Sequence, residues 1–304
     1  MRIGMNVGGD VLGTPISARA MVKEIELVEA EGYASAWSVH LSRGYDALTV
    51  FAAAGNRTST VELGVGVVPT YPRHPLALAQ QAATAQVLCG GRLTLGVGVS
   101  HRPVIEGLHG LNYTSPAAHM RDYLSVLVPL LRAGSVTHRG EYYQVDGGFV
   151  VVDTAPVPVV VGSLSPQMVR VAGELADGIV TWLAGPRSLS ETIVPQLTMG
   201  AAGRTAPRVI AAVPVAVSDD ADAARTQAEE SFGRYNTMQN YQRLFEREGI
   251  ASVSELAVIG TETEVEERLR GFSAVGVTEL WPVPFGDEQQ VRRTRGLLGT
   301  LAAR

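Results

Sequence analysis

Residues 61–99 decide the fold. Val61-Glu62-Leu63-Gly64-Val65-Gly66-Val67-Val68 is an apolar run. Pro69 to Pro75 reads as an emerging loop, Leu76 to Leu88 as a helix, and Arg92-Leu93-Thr94-Leu95-Gly96-Val97-Gly98-Val99 as a second apolar run. Neither run alternates apolar with polar residues, so neither has a wet face. Uninterrupted Val- and Leu-rich strands on either side of a helix are the mark of a parallel sheet covered on both faces. The same unit repeats outward. Before it, Arg2–Val7, the helix Ala18–Glu31, Ala34–Val39 and the helix Asp46–Ala54 follow in order. After it come the helix Met120–Leu131, then Val157–Val161 with Pro166–Leu175, and Gly178–Trp182 with Leu189–Ala202. Arg208–Val217 precedes the helical region Ala221–Tyr235 and Tyr241–Arg247. Thr263–Val275, Thr278–Val283 and Gln289–Leu298 close the chain. Eight strands, each with its helix, predict an α/β fold: one closed (β/α)8 TIM barrel over residues 1–304.

The competing fold is an open doubly wound sheet with a nucleotide fingerprint after an early strand. The glycine pairs Gly64/Gly66 and Gly96/Gly98 lack the third glycine, because Pro69 and His101 stand there. Three segments depart from the repeat: Ser100–Ala118, Thr137–Pro156 and Asp219–Ala257. Insertions of this kind build the pocket of a barrel at its C-terminal face. Tyr142–Val152 reads as a hairpin-like excursion around Gly147-Gly148.

Composition narrows the classes. With 46% hydrophobic and only 18% charged residues, the chain is too apolar for disorder. A net charge of -5 offers no basic footprint for nucleic acid. The single cysteine, Cys89, excludes an internal disulfide and a thiolate metal cluster, and its helical setting reads as a buried thiol. No apolar run reaches the roughly 18 residues of a membrane span. Met1-Arg2-Ile3-Gly4 opens directly on a strand pattern, which leads us to expect a cytoplasmic protein without an export signal.

In a barrel, reactive groups sit at the C-terminal ends of strands. Those ends supply Asn6, His40, Pro69 with Thr70, Ser100 with His101, Gly162 with Ser163, and Thr181 with Trp182. The set has no paired carboxylates, no Gly-x-Ser-x-Gly and no phosphate-loop motif, and the six histidines show no metal-ligand spacing. Gly64, Gly66, Gly96 and Gly98 remove side chains at the ends of two neighbouring strands. Two readings stand: room for a planar ring to approach, or relief of crowding within the barrel. In Val161-Gly162-Ser163-Leu164-Ser165-Pro166-Gln167 a strand ends and Ser165 caps a helix opened by Pro166. Free N–H groups and the Ser163 hydroxyl there suit a phosphate, although the turn itself holds no lysine or arginine. His40 is the imidazole placed to move a proton near neutrality. Trp37 reads as core and Trp182 as a pocket wall. Arg73 and Arg102 are candidate partners for an anionic tail.

The order and spacing of several stretches then point to a family. They are Gly32-Tyr33-Ala34-Ser35-Ala36-Trp37, Glu62 to Pro75, Gly91 to Gly98, and Val161-Gly162 leading to Ala172-Gly173-Glu174-Leu175-Ala176-Asp177-Gly178. The chain resembles the luciferase-like monooxygenase superfamily, and within it the deazaflavin-dependent oxidoreductases. The resemblance implies a homodimeric barrel that binds coenzyme F420, with flavin mononucleotide (FMN) as the alternative cofactor; the histidine spacing leads us to expect no metal. It implies a ring lying against a bulge of the third strand, with a cis peptide at Gly66–Val67. Thr70 and Ser100 would line the ring, and Gly162 with Ser163 would hold the phosphate. Taken with the strand-end reading, the candidate cofactor set comprises Asn6, Gly66, Val67, Thr70, Ser100, His101, Gly162, Ser163, Ser165, Thr181 and Trp182, with His40 the candidate catalytic residue. The implied reaction moves a hydride between the deazaflavin and a C=C, C=N or carbonyl carbon of a small substrate. One departure stands out. Where the family often has Trp-x-x-acid-His, this chain has Trp37-Ser38-Val39-His40-Leu41. His40 is either the family histidine shifted by one position or a replacement for the acid; either way the acid–histidine pair of the sugar-phosphate dehydrogenases is not intact, which argues against glucose-6-phosphate oxidation. A flavin monooxygenase and a non-catalytic cofactor-binding barrel are the other readings.

Overall fold

In the computed structural model, residues 1–149 and 155–304 are described. Among the described residues, eleven strands form in chain order: β1 (Arg2–Asn6), β2 (Ser35–Ser38), β3 (Glu62–Pro69), β4 (Leu93–Gly98), β5 (Ser135–Arg139), β6 (Gln144–Gly148), β7 (Val159–Gly162), β8 (Gly178–Trp182), β9 (Arg208–Val217), β10 (Val258–Gly260) and β11 (Glu279–Pro284). Eight of them close into a parallel barrel in the order β1-β2-β3-β4-β7-β8-β9-β11 and back to β1. The expected fold is therefore the observed one. Every residue of β4 and β11 is buried, as both-face burial requires. Among the described residues no helix is long and apolar enough to cross a membrane.

Local signals set the helix starts. Asp46 caps Ala47–Gly55, accepting from the Thr49 N–H. His74 caps Pro75–Leu88 through Nδ1, and Ser165 caps Pro166–Leu175. Because each of these helices follows a strand, each N-terminus lies at the rim where the strands end. Cys89 ends the helix Pro75–Leu88, buried, with its thiol directed at the Phe51 carbonyl and its pKa pushed up to about 11 by burial.

Three expectations need correction. The excursion is a true antiparallel hairpin, β5 with β6, but Gly147 and Gly148 lie within its second strand, opposite Val136 and Ser135. The turn falls at 140–143 instead, because Asp122 accepts from the N–H groups of Tyr142 and Tyr143 and a side chain at Gly140 would collide with that carboxylate. Residues 150–152 of the expected excursion lie outside the described residues. Second, the helix expected from Met120 runs from Pro116 to Ala133, which brings His119 into it. Third, β10 was not foreseen. It is three residues long, too short to show periodicity, and pairs with the end of β9.

The barrel interior settles what the glycines do. Added Cβ atoms at Gly64 and Gly66 would overlap the rings of Trp37 and Trp281 respectively. These two indoles stack in the barrel, centroids 5.3 Å apart. Added Cβ atoms at Gly98 and Gly162 would lie 2.5 and 2.8 Å from the methyls of Val67. The space these glycines leave is filled by the barrel's own side chains, so they relieve crowding rather than leave a vacancy for a ring. At the opposite end, the fully buried Glu279 accepts from Ser35 Oγ at 2.5 Å, Trp37 Nε1 at 2.7 Å and Arg208 at 2.7 Å. Arg208 also pairs with Glu62 at 2.8 Å, and Arg2 joins both acids. This network closes the barrel floor.

Candidate active site

The mouth is built by the loops that follow the strands. The register of β3 against β4 shifts between Val65 and Val68, and within this bulge the Gly66–Val67 peptide is cis. Ser100 and Leu183 adopt φ of 59° and 60°, Ser100 two residues past the end of β4 and Leu183 directly after β8. Left-handed conformations at non-glycine residues are costly, and they concentrate at functional sites. Both lie on this rim.

Each expected residue has a definite place. Asn6 donates to the Gly8 carbonyl at 3.1 Å and accepts from Trp281 Nε1 at 3.2 Å, so its amide is held from both sides. Thr70 is fully buried, and its Oγ1 lies 3.0 Å from His119 Nε2. Ser100 uses its carbonyl to accept from the Tyr113 hydroxyl. Ser163 Oγ accepts from the Ser165 N–H at 3.2 Å, which shapes the turn. Thr181 is turned away from the mouth: it is buried and its hydroxyl aims at the Ile210 carbonyl. Neighbouring residues of a strand face opposite sides, so Thr181 and Trp182 cannot both look inward. Trp182 is the one that does, packing edge-on against Phe232 and Tyr235. Its Nε1 is buried without a hydrogen-bond partner. Tyr235 in turn meets Tyr241, and Tyr241 faces His101 across 6.3 Å.

His40 sits between the Ala47 N–H and the Arg73 guanidinium. Its Nδ1 accepts from the Ala47 N–H at 3.3 Å, and its Nε2 lies 3.3 Å from Arg73. With Nδ1 accepting, the neutral ring carries its proton on Nε2; a doubly protonated ring would lose the Ala47 bond and set a cation against Arg73, so this setting favours the neutral imidazole. Burial, then the nearby Arg73 charge, lowers its pKa, with Asp46 partly opposing. Arg73 is committed to Asp46 at 2.7 Å, and Arg102 to Glu106 at 2.6 Å. Neither is free to take an anionic tail, contrary to the sequence expectation. Among the described residues no group of three His, Cys, Asp or Glu side chains comes together as metal ligands.

Two residues of the site escaped sequence reading. His119 lies in the first turn of its helix, under Tyr71, with rings parallel at 3.9 Å. The Ser115-Pro116 start signal would have placed it there. Arg247 reaches from the helix Gln239–Glu248 to the Leu164 carbonyl at 3.5 Å, which brings a guanidinium to the Ser163–Ser165 turn. No local signal links positions 83 apart in the chain.

Burial lowers the pKa of His40, His101 and His119, the last to about 4. An unfolded chain binds protons at these sites near pH 6.5, before the folded one does. The stability tied to the neutral rings is therefore complete above about pH 6.5 and is lost as pH falls towards 4. For His119 the loss is on the order of 3 kcal/mol. Urea unfolding at a series of pH values should show a decline below 6.5 that is shallower in His119→Asn. An identical slope in the variant would count against this assignment.

The profile of the Luciferase-like monooxygenase family matches residues 1–279. The 5,10-methylenetetrahydromethanopterin reductase of Methanopyrus kandleri is 27% identical over 246 residues, covering 74% of this chain and 70% of that protein. Across three archaeal reductases of that name the alignments span 62% to 70% of the relative's length. An F420-dependent glucose-6-phosphate dehydrogenase of Nakamurella multipartita is 30% identical over 253 residues, covering 81% of this chain and 71% of that protein. The crystal structure of the coenzyme F420-dependent tetrahydromethanopterin reductase from Methanopyrus kandleri superposes with a TM-score of 0.82 at 22% identity, over 98% of this chain and 97% of that one. The profile covers most of the chain, and the superposition shows the same barrel: the chain belongs to the luciferase-like monooxygenase family.

Proposed function

We propose that the chain is an oxidoreductase that moves a hydride between coenzyme F420 and a small organic substrate. Its similarity to reductases and dehydrogenases named for F420 supports this reading. The structural observation that carries it is the buried Trp182 N–H without a partner at the end of β8, the strand paired with β7, which runs into the Ser163–Ser165 turn. A buried donor of this kind needs an acceptor, and a ring carbonyl of the cofactor would supply one. The residues present therefore fit the cofactor.

When bound, the deazaflavin supplies a two-electron hydride carrier. The chain's residues do the rest. Val67, in the bulge of β3, would form the floor under the ring. Trp182, Tyr235 and Tyr241 form an aromatic wall that excludes water. The N-terminus of the helix Pro166–Leu175, Ser163 and Arg247 hold the phosphate. His119 holds the Thr70 hydroxyl through the 3.0 Å contact at its Nε2. His40, neutral at pH 7, holds or moves a proton at Nε2. With Leu41 where the acid–histidine pair would have its histidine, the substrate is a small C=C, C=N or carbonyl compound rather than a sugar phosphate. We place the protein in the cytoplasm as a homodimer.

Titration with oxidised F420 and with FMN separates the two cofactor readings. Micromolar binding of F420, seen as a change in its absorbance or fluorescence, is the expected result. Binding of FMN alone would replace the reading with a flavin monooxygenase, and binding of neither with a non-catalytic barrel. In a single turnover at saturating substrate, His40→Ala should slow hydride transfer by about 10²-fold or more. An unchanged rate would remove His40 from the mechanism.

A further inference from the structure

Two segments of the rim come together across a strand. The loop 39–46 follows β2, and the stretch 99–115, which includes the short helix Arg102–Gly107, follows β4. In the barrel β3 stands between these two strands, yet His109 Nε2 lies 2.9 Å from Ser42 Oγ. The segments therefore meet across the width of β3. The loop after β3 is tied to them as well. Tyr71 donates from its hydroxyl to the Thr114 carbonyl at 2.7 Å, and its ring packs on Tyr113 with centroids 5.2 Å apart. Three consecutive loops thus form one continuous wall on this side of the mouth. The wall is joined to the site itself: His40 lies in its first segment, and Tyr113 donates to the Ser100 carbonyl in its second.

The outer surface of this wall is apolar. Among the described residues nine large hydrophobic side chains are exposed, and four of them stand on these two segments. They are Leu41, Tyr45, Leu108 and Leu111, from 38% to 50% exposed. Scattered exposed apolar residues are ordinary, but a cluster on a few turns of chain marks a contact surface. The charges of the wall are largely neutralised within it. Arg102 pairs with Glu106 at 2.6 Å and covers the Tyr113 ring, 5.1 Å from its centroid, while Asp46 takes Arg73 at 2.7 Å. Arg43, exposed on the first segment, is left as the group an anion would seek. Across the mouth, Trp182, Tyr235 and Tyr241 continue the apolar character.

We propose that this wall selects the substrate, and that the substrate is an uncharged compound with an apolar body: an alkyl or aryl ketone, an enone, or the matching alcohol. The body lies against Leu41, Tyr45, Leu108 and Leu111, with the reacting carbon turned into the site. The proposal rests on the oxidoreductase reading above for the reacting carbon, whereas the preference for apolar over charged compounds rests on the wall. Burial of the four side chains under such a body stabilises the complex in proportion to the apolar area removed from water. A phosphorylated or carboxylated compound would instead have to displace Glu106 or Asp46 from its arginine, or settle at Arg43.

Calorimetric titration of the F420-loaded protein with methyl propyl, methyl pentyl and methyl heptyl ketones tests this, with the α-keto acid of the same pentyl chain as the charged counterpart. The ketone dissociation constants should fall about two- to fourfold per added methylene. The keto acid should bind at least about tenfold more weakly than methyl pentyl ketone. The Leu41→Asp/Leu108→Asp variant should bind methyl heptyl ketone about tenfold more weakly and flatten the series. His109→Ala, which unties the segments without adding charge, should weaken the same ketone about threefold and is the second probe if the double variant folds poorly. Affinity that does not depend on chain length would overturn the proposal. Tighter binding of the keto acid, lost in Arg43→Gln, would overturn it in favour of an anionic substrate. A fall in the molecular mass of the double variant in solution would assign the patch to a contact between copies of this chain, and would overturn it too. The ketone series repeated without F420 separates the two readings. Failure to bind F420 removes the deazaflavin reading, while a chain-length dependence in the protein alone still supports the wall.

Discussion

Replacing Glu279 by alanine should lower the free energy of unfolding by about 3–5 kcal/mol, the range for removing one partner of a buried ion pair. Glu279 is fully buried and is the shared acceptor of Ser35, Trp37 and Arg208. Alanine would leave a buried indole N–H, a hydroxyl and part of a guanidinium without an acceptor, and would open a cavity beneath Trp37. Glu62 remains 2.8 Å from Arg208, so that charge is not abandoned entirely. Burial by itself pushes the Glu62 carboxyl up, but Arg208, Thr94 and Arg2 together hold it below the usual range, which keeps the remaining half of the network charged. Glu279→Gln preserves size and an acceptor and should cost less. The network is at the N-terminal end of the strands, where barrels keep stability rather than chemistry. Guanidinium unfolding should therefore show the loss, while the folded fraction keeps its cofactor affinity. A loss below 1 kcal/mol would mean that the network does not brace the floor.

The second large effect is expected from Gly64→Ala and Gly66→Ala. At either position the new methyl would overlap an indole that has no room to retreat, since Trp37 and Trp281 stack on each other and both are buried. Overpacking of this kind costs typically 1–3 kcal/mol and sometimes more. The two sites should differ in one respect. Gly64 lies deeper, against Trp37, and its variant should lose stability with little change in cofactor binding. Gly66 lies in the bulge at the mouth, and its variant should lose both. A Gly64→Ala/Trp37→Phe pair should recover part of the loss, as residues in contact couple in a double-mutant cycle. Additive costs in that cycle would show that the glycine is not making room for the indole.

The glycines mark where the sequence stops being informative. A run such as Gly64-Val65-Gly66 announces that something bulky comes close, but not what. Two readings were open, and the indole that fills the gap at Gly66 comes from position 281, at the far end of the chain. The same holds for charge at the phosphate turn. Arg247 stands 83 positions from Leu164, and only the return of the helix Gln239–Glu248 over the mouth brings them together. Thr181 shows the opposite error. Its place at a strand end was read correctly, but its facing was not. Facing depends on which residue of an alternating pair turns inward, and in a strand buried on both sides hydrophobicity does not distinguish the two. His119 was legible in principle, through Ser115 and Pro116, though nothing local told that its partner would be Thr70.

What the sequence determined by itself is the architecture. Apolar strands of four to ten residues, helix caps such as Asp46, His74 and Ser165, and short connections are local signals, written within a few positions of each other. They fix the count and order of the units, and a right-handed run of eight such units has a barrel as its solution. The tertiary structure alone decided which side chains meet inside that barrel. It stacked Trp37 on Trp281, gave Glu279 to Arg208, set Arg73 against Asp46, and left the Trp182 N–H without a partner at the mouth. Those pairings join residues far apart in the chain, and closure of the sheet is the physical event that creates them.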